Sequence, residues 1–144
     1  MSVKTIEILL AEDSATDAEL TMEALAGGRV KNRITHVHHG EEAMEYLLGE
    51  GRYVGRTRPD LVLLDLNMPR MDGREVLRAM REHDRLKVIP VVVLTTSTHD
   101  QDVLESYGLS ANAYIVKPVG LHQFFEVIQQ IQDFWLQIVK LPPQ

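Results

Sequence analysis

Leu61-Val62-Leu63-Leu64-Asp65-Leu66-Asn67-Met68-Pro69-Arg70-Met71-Asp72-Gly73 is the stretch on which the fold turns. Four consecutive apolar residues followed by a carboxylate read as a strand buried on both faces, the pattern of a central parallel strand rather than of a half-exposed antiparallel one. In open α/β sheets the carboxyl ends of such strands face the ligand crevice, so Asp65 is placed where chemistry is done. Asp72-Gly73 then opens a helix, with Val76, Leu77 and Met80 at helical spacing.

Working outward, the same pattern recurs. Ile6-Glu7-Ile8-Leu9-Leu10-Ala11 ends in Glu12-Asp13, Val91-Val92-Val93-Leu94 ends in Thr95, and Ala113-Tyr114-Ile115-Val116 ends in Lys117-Pro118. A weaker strand spans Ile34 to His38. Helices are expected from Ser14 or Thr16 to Gly27-Gly28, after Gly40 through Leu48 with Ala43, Tyr46 and Leu47 inward, from Thr98 or His99 to near Gly108, and from Leu121 to Leu141. Residues 49–59, rich in Gly and Arg, form a surface loop too long for a minimal turn. Five βα alternations predict a doubly wound five-stranded parallel sheet with helices on both faces.

Three carboxylates, Glu12, Asp13 and Asp65, then meet at one edge. Packed together they repel, an arrangement that a bound cation makes tenable, and an all-oxygen donor set suits Mg²⁺. With a hydroxyl from Thr95 and an ammonium from Lys117, the edge holds a nucleophile, a metal site and two donors for phosphoryl oxygens. These are the parts required to phosphorylate an aspartate.

At 144 residues the chain accommodates one domain with a sizeable core, 1–144, of which 137–144 form a tail. No apolar run approaches the roughly 20 residues of a membrane span. The start, Met1-Ser2-Val3-Lys4-Thr5, has no signal-peptide core, so a cytoplasmic location is expected. Zero cysteines exclude disulfides and thiolate metal sites, and a net charge of −6 argues against DNA as a partner.

On Glu12-Asp13, Asp65, Thr95, Tyr114 and Lys117-Pro118, the chain resembles the receiver domains of two-component response regulators. The Phe134-Trp135-Leu136 ending, the long loop before Leu61 and the Leu94-Thr95-Thr96-Ser97 run make it most similar to the stand-alone regulators of bacterial phytochromes. The resemblance implies a flavodoxin-like (βα)5 fold with strand order 2-1-3-4-5. It implies that Asp65 accepts a phosphoryl group from a sensor histidine kinase, with Mg²⁺ bound by Glu12, Asp13, Asp65 and the backbone carbonyl of Asn67. Lys117 and Thr95 then bind the phosphoryl group. Thr95 and Tyr114 form the switch, and a cis bond before Pro118 aims Lys117. No activity on a separate substrate is implied.

Two rival readings exist: a phosphohydrolase passing through an aspartyl phosphate, since Asp65-Leu66-Asn67 resembles the Asp-x-Asp of haloacid-dehalogenase-type phosphatases, and a receiver-like binding module that is never phosphorylated. Arg70 and Arg74 flank the Asp65 loop, where they would meet a kinase or simply be solvated. His36, His38 and His39 receive no role. The last helix carries more apolar residues than one sheet-facing stripe needs, so Phe125, Phe134, Trp135, Leu136 and Val139 are expected to form a homodimer contact.

Overall fold

The computed structural model describes residues 5–27, 31–96, 99–106, 108–109, 111–118 and 120–133. Its strands are β1 (Ile6–Ala11), β2 (Asn32–Val37), β3 (Leu61–Asp65), β4 (Val91–Thr95) and β5 (Ala113–Val116). The helices are α1 (Ala15–Ala26), α2 (Gly40–Leu48), α3 (Gly73–Glu82), α4 (His99–Ser106) and α5 (Leu121–Ile131), with a 3-10 turn at Gly51–Tyr53. All strand pairs are parallel and the order is β2-β1-β3-β4-β5, as the resemblance implies.

Alternation of side chains along fully buried strands produces two cores, one on each face. Leu9, Val62, Leu64, Val91 and Val93 point into the face covered by α2 and α3, against Ala43, Leu47, Val76, Leu77 and Met80. Ile8, Leu10, Leu61, Leu63, Val92 and Leu94 point to the other, against Ala18, Leu25, Phe124, Ile128 and Ile131 of α1 and α5. Because β3 is flanked by β1 and β4, Asp65 is delivered at the middle of the sheet's carboxyl edge.

One boundary differs from the sequence reading. Strand β2 begins at Asn32, paired with Ile6, and stops at Val37. As an edge strand it is only half-buried, so its limits are set by the ladder with β1 and not by hydrophobicity. Residues 49–59 are a surface loop, but an anchored one: Arg56 donates to the carbonyls of Tyr46, at 2.7 Å, and Leu47. Tyr53 and Arg52 both reach Glu42, at 2.7 and 2.5 Å. The described part of α5 ends at Ile131, with Phe125 half-buried against the second core. Phe134, Trp135, Leu136 and Val139, and the expected helical extension to Leu141, lie outside the described residues. Among the described residues no helix is long and apolar enough to cross a membrane.

Candidate functional site

Each strand end is fixed by its own local device. After β1, the Ser14 hydroxyl caps α1 by accepting the Asp17 N–H, while the Ser14 N–H donates to Glu12 at 3.2 Å, so the capped helix and the fully buried Glu12 share one turn. After β3, Asp72 and Glu75 form a reciprocal capping box that starts α3. The first residue of α3 must be Gly: a Cβ on Gly73 would lie 2.5 Å from the Asp65 carbonyl oxygen and 2.7 Å from Leu66 Cα. Gly40 plays the same part at α2, where a Cβ would collide with the Met71 carbonyl. These close approaches seat the β3–α3 loop against α2.

Asp65, only 3% exposed, accepts the Asn67 backbone N–H at 3.1 Å. One ligand oxygen from each of Glu12, Asp13 and Asp65 lies within 4.8 Å of the others. Burial raises the Asp65 carboxyl to about 7, reinforced by the hydrogen bond and charge of Glu12 and opposed by Lys117. Asp13, although exposed, is also raised, by partial desolvation and then by the Asp65 charge. A site that costs this much to ionise when empty is one a cation completes: its oxygen donors and net negative charge fit a hard divalent ion.

Lys117 Nζ contacts Glu12 at 2.7 Å, Asp17 at 3.0 Å and Asp65 at 3.6 Å. Burial disfavours its charge, but the Glu12 hydrogen bond and the charges of Asp65 and Glu12 outweigh that, and the ammonium is held above its ordinary range. Thr95 is buried, and its hydroxyl donates to Asp100 in the first turn of α4. Tyr114 is half-buried against the first core, its hydroxyl accepting the Ala111 N–H at 3.0 Å.

The structure therefore brings Glu12, Asp13, Asp65, Thr95 and Lys117 to one edge. It corrects the expectation at Pro118: among the described residues every peptide bond is trans, Lys117–Pro118 included. The tertiary amide lowers the trans preference to about 0.5–1 kcal/mol without reversing it, so proline permits cis but does not impose it. Lys117 reaches the cluster from the trans form.

Other residues acquire partners the sequence left open. Arg74 pairs with Asp100 at 2.8 Å, and Arg70, at a left-handed φ of 68°, pairs with Glu41 at 3.0 Å. His36 hydrogen-bonds the Glu12 carbonyl, His38 contacts Glu42, and the His39 side chain caps α2. Asp17 and Asp100 were missed by the sequence reading. Asp17 lies in the first turn of α1 and reads as an ordinary helix-start acid, and nothing in the sequence ties Asp100 to Thr95.

The family model for the response regulator receiver domain matches residues 8–129. Response regulator Rcp1 of Synechocystis sp. is 44% identical over 135 residues, 94% of this chain and 92% of that protein. The structure of the phosphorylated cyanobacterial phytochrome response regulator RcpA superposes with a TM-score of 0.89 at 46% identity, covering 97% of this chain and 100% of that one. The Mn²⁺-bound form of Rcp1 gives 0.88 at 43% identity, covering 96% and 99%.

Proposed function

The chain belongs to the response regulator receiver family, and from that premise we propose that it carries a phosphoryl group on Asp65, received from a phosphohistidine of a sensor histidine kinase. The observation that carries this reading is the meeting of Asp65 with Glu12, Asp13, Lys117 and Thr95 at the carboxyl ends of β1, β3, β4 and β5.

In the transfer, a carboxylate oxygen of Asp65 attacks phosphorus, the phosphorus–nitrogen bond of the donor breaks, and the imidazole leaves with its electron pair. The product is an acyl phosphate, later hydrolysed by water to inorganic phosphate and the free carboxylate. Receiver domains use a divalent metal. Here Glu12, Asp13, Asp65 and the Asn67 carbonyl would hold Mg²⁺, which when bound would supply positive charge to offset the negative charge of the transfer. In the metal-free site burial and Glu12 favour the protonated Asp65 carboxyl, whereas the attacking form is the carboxylate. Lys117, held charged beside Asp65, is placed to balance the new negative charge. Thr95 supplies a hydroxyl donor, and Tyr114 responds by giving up its hydrogen bond to Ala111.

Upstream, the phytochrome regulators among the relatives support a bacteriophytochrome kinase as the donor. The message is passed by protein contact in the cytoplasm, with neither DNA nor membrane as partner and no second substrate turned over. A homodimer through α5, using Phe125 together with Phe134, Trp135, Leu136 and Val139, completes the reading. The phosphohydrolase alternative lacks a second aspartate, Asn67 standing there.

Acetyl phosphate or phosphoramidate with Mg²⁺ is expected to add one acid-labile phosphoryl group, detected by mass spectrometry. Full modification of Asp65→Asn would exclude Asp65 as acceptor. Sedimentation of the unphosphorylated protein at micromolar concentration, compared with Phe134→Asp, tests the dimer. A wild-type monomer throughout would exclude it.

A further inference from the structure

We propose that Asp100 is a positioning residue that holds the Thr95 hydroxyl away from the phosphoacceptor until the phosphoryl group arrives; the inference rests on the reading of Asp65 and Thr95 given above. A hydroxyl has a single proton to donate. In this structure Thr95 donates its proton to Oδ2 of Asp100. The other carboxylate oxygen of Asp100, Oδ1, is engaged by Arg74 Nη2 of α3 at 2.8 Å. Asp100 is thereby fixed from two sides, its side chain 13% exposed and that of Arg74 33% exposed. Thr95 itself is 1% exposed, so its hydroxyl cannot turn to bulk water as a neutral alternative.

Thr95 can therefore donate to a phosphoryl oxygen on Asp65 only by releasing Asp100. The exchange is between two anionic acceptors, which makes its balance adjustable: Arg74 weakens Asp100 as an acceptor by sharing its charge, and a phosphoryl group of −1.5 to −2 charges outbids it. The carboxylate stands at the second residue of α4. Its release removes this hydrogen bond between β4 and the first turn of α4, so the chemistry at the middle strand is communicated to α4. Asp100 touches neither metal ligands nor phosphoryl group; it acts through Thr95.

Beryllofluoride with Mg²⁺, which mimics an acyl phosphate without a covalent step, provides the test. Its binding is followed by ¹⁹F NMR in wild type, Asp100→Ala, Asp100→Asn, Thr95→Val and the Asp100→Ala/Thr95→Val double variant. Releasing Thr95 by Asp100→Ala is expected to lower the half-saturating beryllofluoride concentration on the order of tenfold, near the low end for a hydrogen bond to a charged group. Asp100→Asn should fall between. In the Thr95→Val background the same substitution should give no more than about a twofold gain, the residue of removing one negative charge from the neighbourhood. A purely structural or long-range electrostatic role would give equal gains in both backgrounds, and that result overturns the proposal. So does an unchanged or raised half-saturating concentration in Asp100→Ala. Failure of the wild type to bind beryllofluoride would overturn the phosphoacceptor reading and this inference together.

Discussion

Replacing Asp65 by Asn should stabilise the metal-free protein while abolishing its chemistry. The carboxyl is 3% exposed and raised from 3.8 to about 7, first by burial and then by Glu12. Between those values the unfolded chain has lost the proton that the folded chain keeps. The unfolded state therefore binds fewer protons, stability falls as pH rises through this window, and the full cost is present above about pH 7. That rise corresponds to a ceiling of about 4 kcal/mol. Carboxylate oxygens within 4.8 Å of one another repel by at least about 3.5 kcal/mol at an effective dielectric of 20, a consistent scale. The amide still accepts the Asn67 N–H and can donate to Glu12, but Lys117 loses one anion, so roughly half the ceiling, about 2 kcal/mol, should be realised. For a chain of this size that is an increase in Tm of about 6–8 °C. Calorimetry in EDTA at pH 8 and pH 4 measures it: the variant should melt higher at pH 8, with the gap closing towards pH 4. Equal or lower stability at pH 8, or a gap independent of pH, would refute the argument that an ionised Asp65 is a cost to the empty site.

Lys117→Ala should leave Mg²⁺ affinity unchanged or up to several-fold higher, since a cation 2.7 Å from Glu12 is removed, while weakening the response to phosphorylation; calorimetric titration showing lost Mg²⁺ binding would contradict this. At Glu42, burial favours the neutral acid, but hydrogen bonds from His38 and Tyr53 and the charge of Arg52 outweigh it and lower the carboxyl to about 2. Its contribution is thus present above the ordinary carboxylate range near 4.5 and is lost as pH falls through about 2. Because the Arg52 side chain is 68% exposed, Glu42→Gln should cost only roughly 1–2 kcal/mol at pH 7. The difference in urea midpoints should shrink below pH 4.5, and parallel pH curves would exclude the network. Gly73→Ala should destabilise by roughly 1–3 kcal/mol despite alanine's better helix propensity, because the new methyl meets backbone rather than a movable side chain. A variant more stable than wild type in urea unfolding would show that the β3–α3 turn can yield.

The sequence exposes those features whose cause is local. Four apolar residues before Asp65 require burial on both faces, and Asp72-Gly73 opens a helix with Val76, Leu77 and Met80 at helical spacing, so β3 and α3 fall where expected. Glu12, Asp13, Asp65, Thr95 and Lys117 were legible for the same reason, each ending an apolar run. Non-local causes left no trace. The pairing of Lys117 with Asp17 joins residues 100 positions apart, and that of Arg74 with Asp100 depends on how α3 and α4 are phased against the sheet. Glu42 reads as one of many helix-surface acids, yet it is buried because the chain after α2 folds back over it with Arg52 and Tyr53. The cis bond at Pro118 that the resemblance implies is absent among the described residues: an X-Pro sequence permits either isomer, so the sequence itself does not decide between them.

The central place of β3 has a consequence for how any change at Asp65 can spread. Both edges of this strand are hydrogen-bonded and all five of its residues are buried, so its amides should exchange with solvent only when the whole domain opens. At the sheet margin, β5 has four residues, all half-buried or exposed, and bonds to a single neighbour. Deuterium uptake should accordingly fall into two tiers, with the acceptor on the slow one and β5 on the fast one. The backbone bearing the reacting carboxylate is stiff enough to remain silent, and an exchange experiment should register the event at that margin.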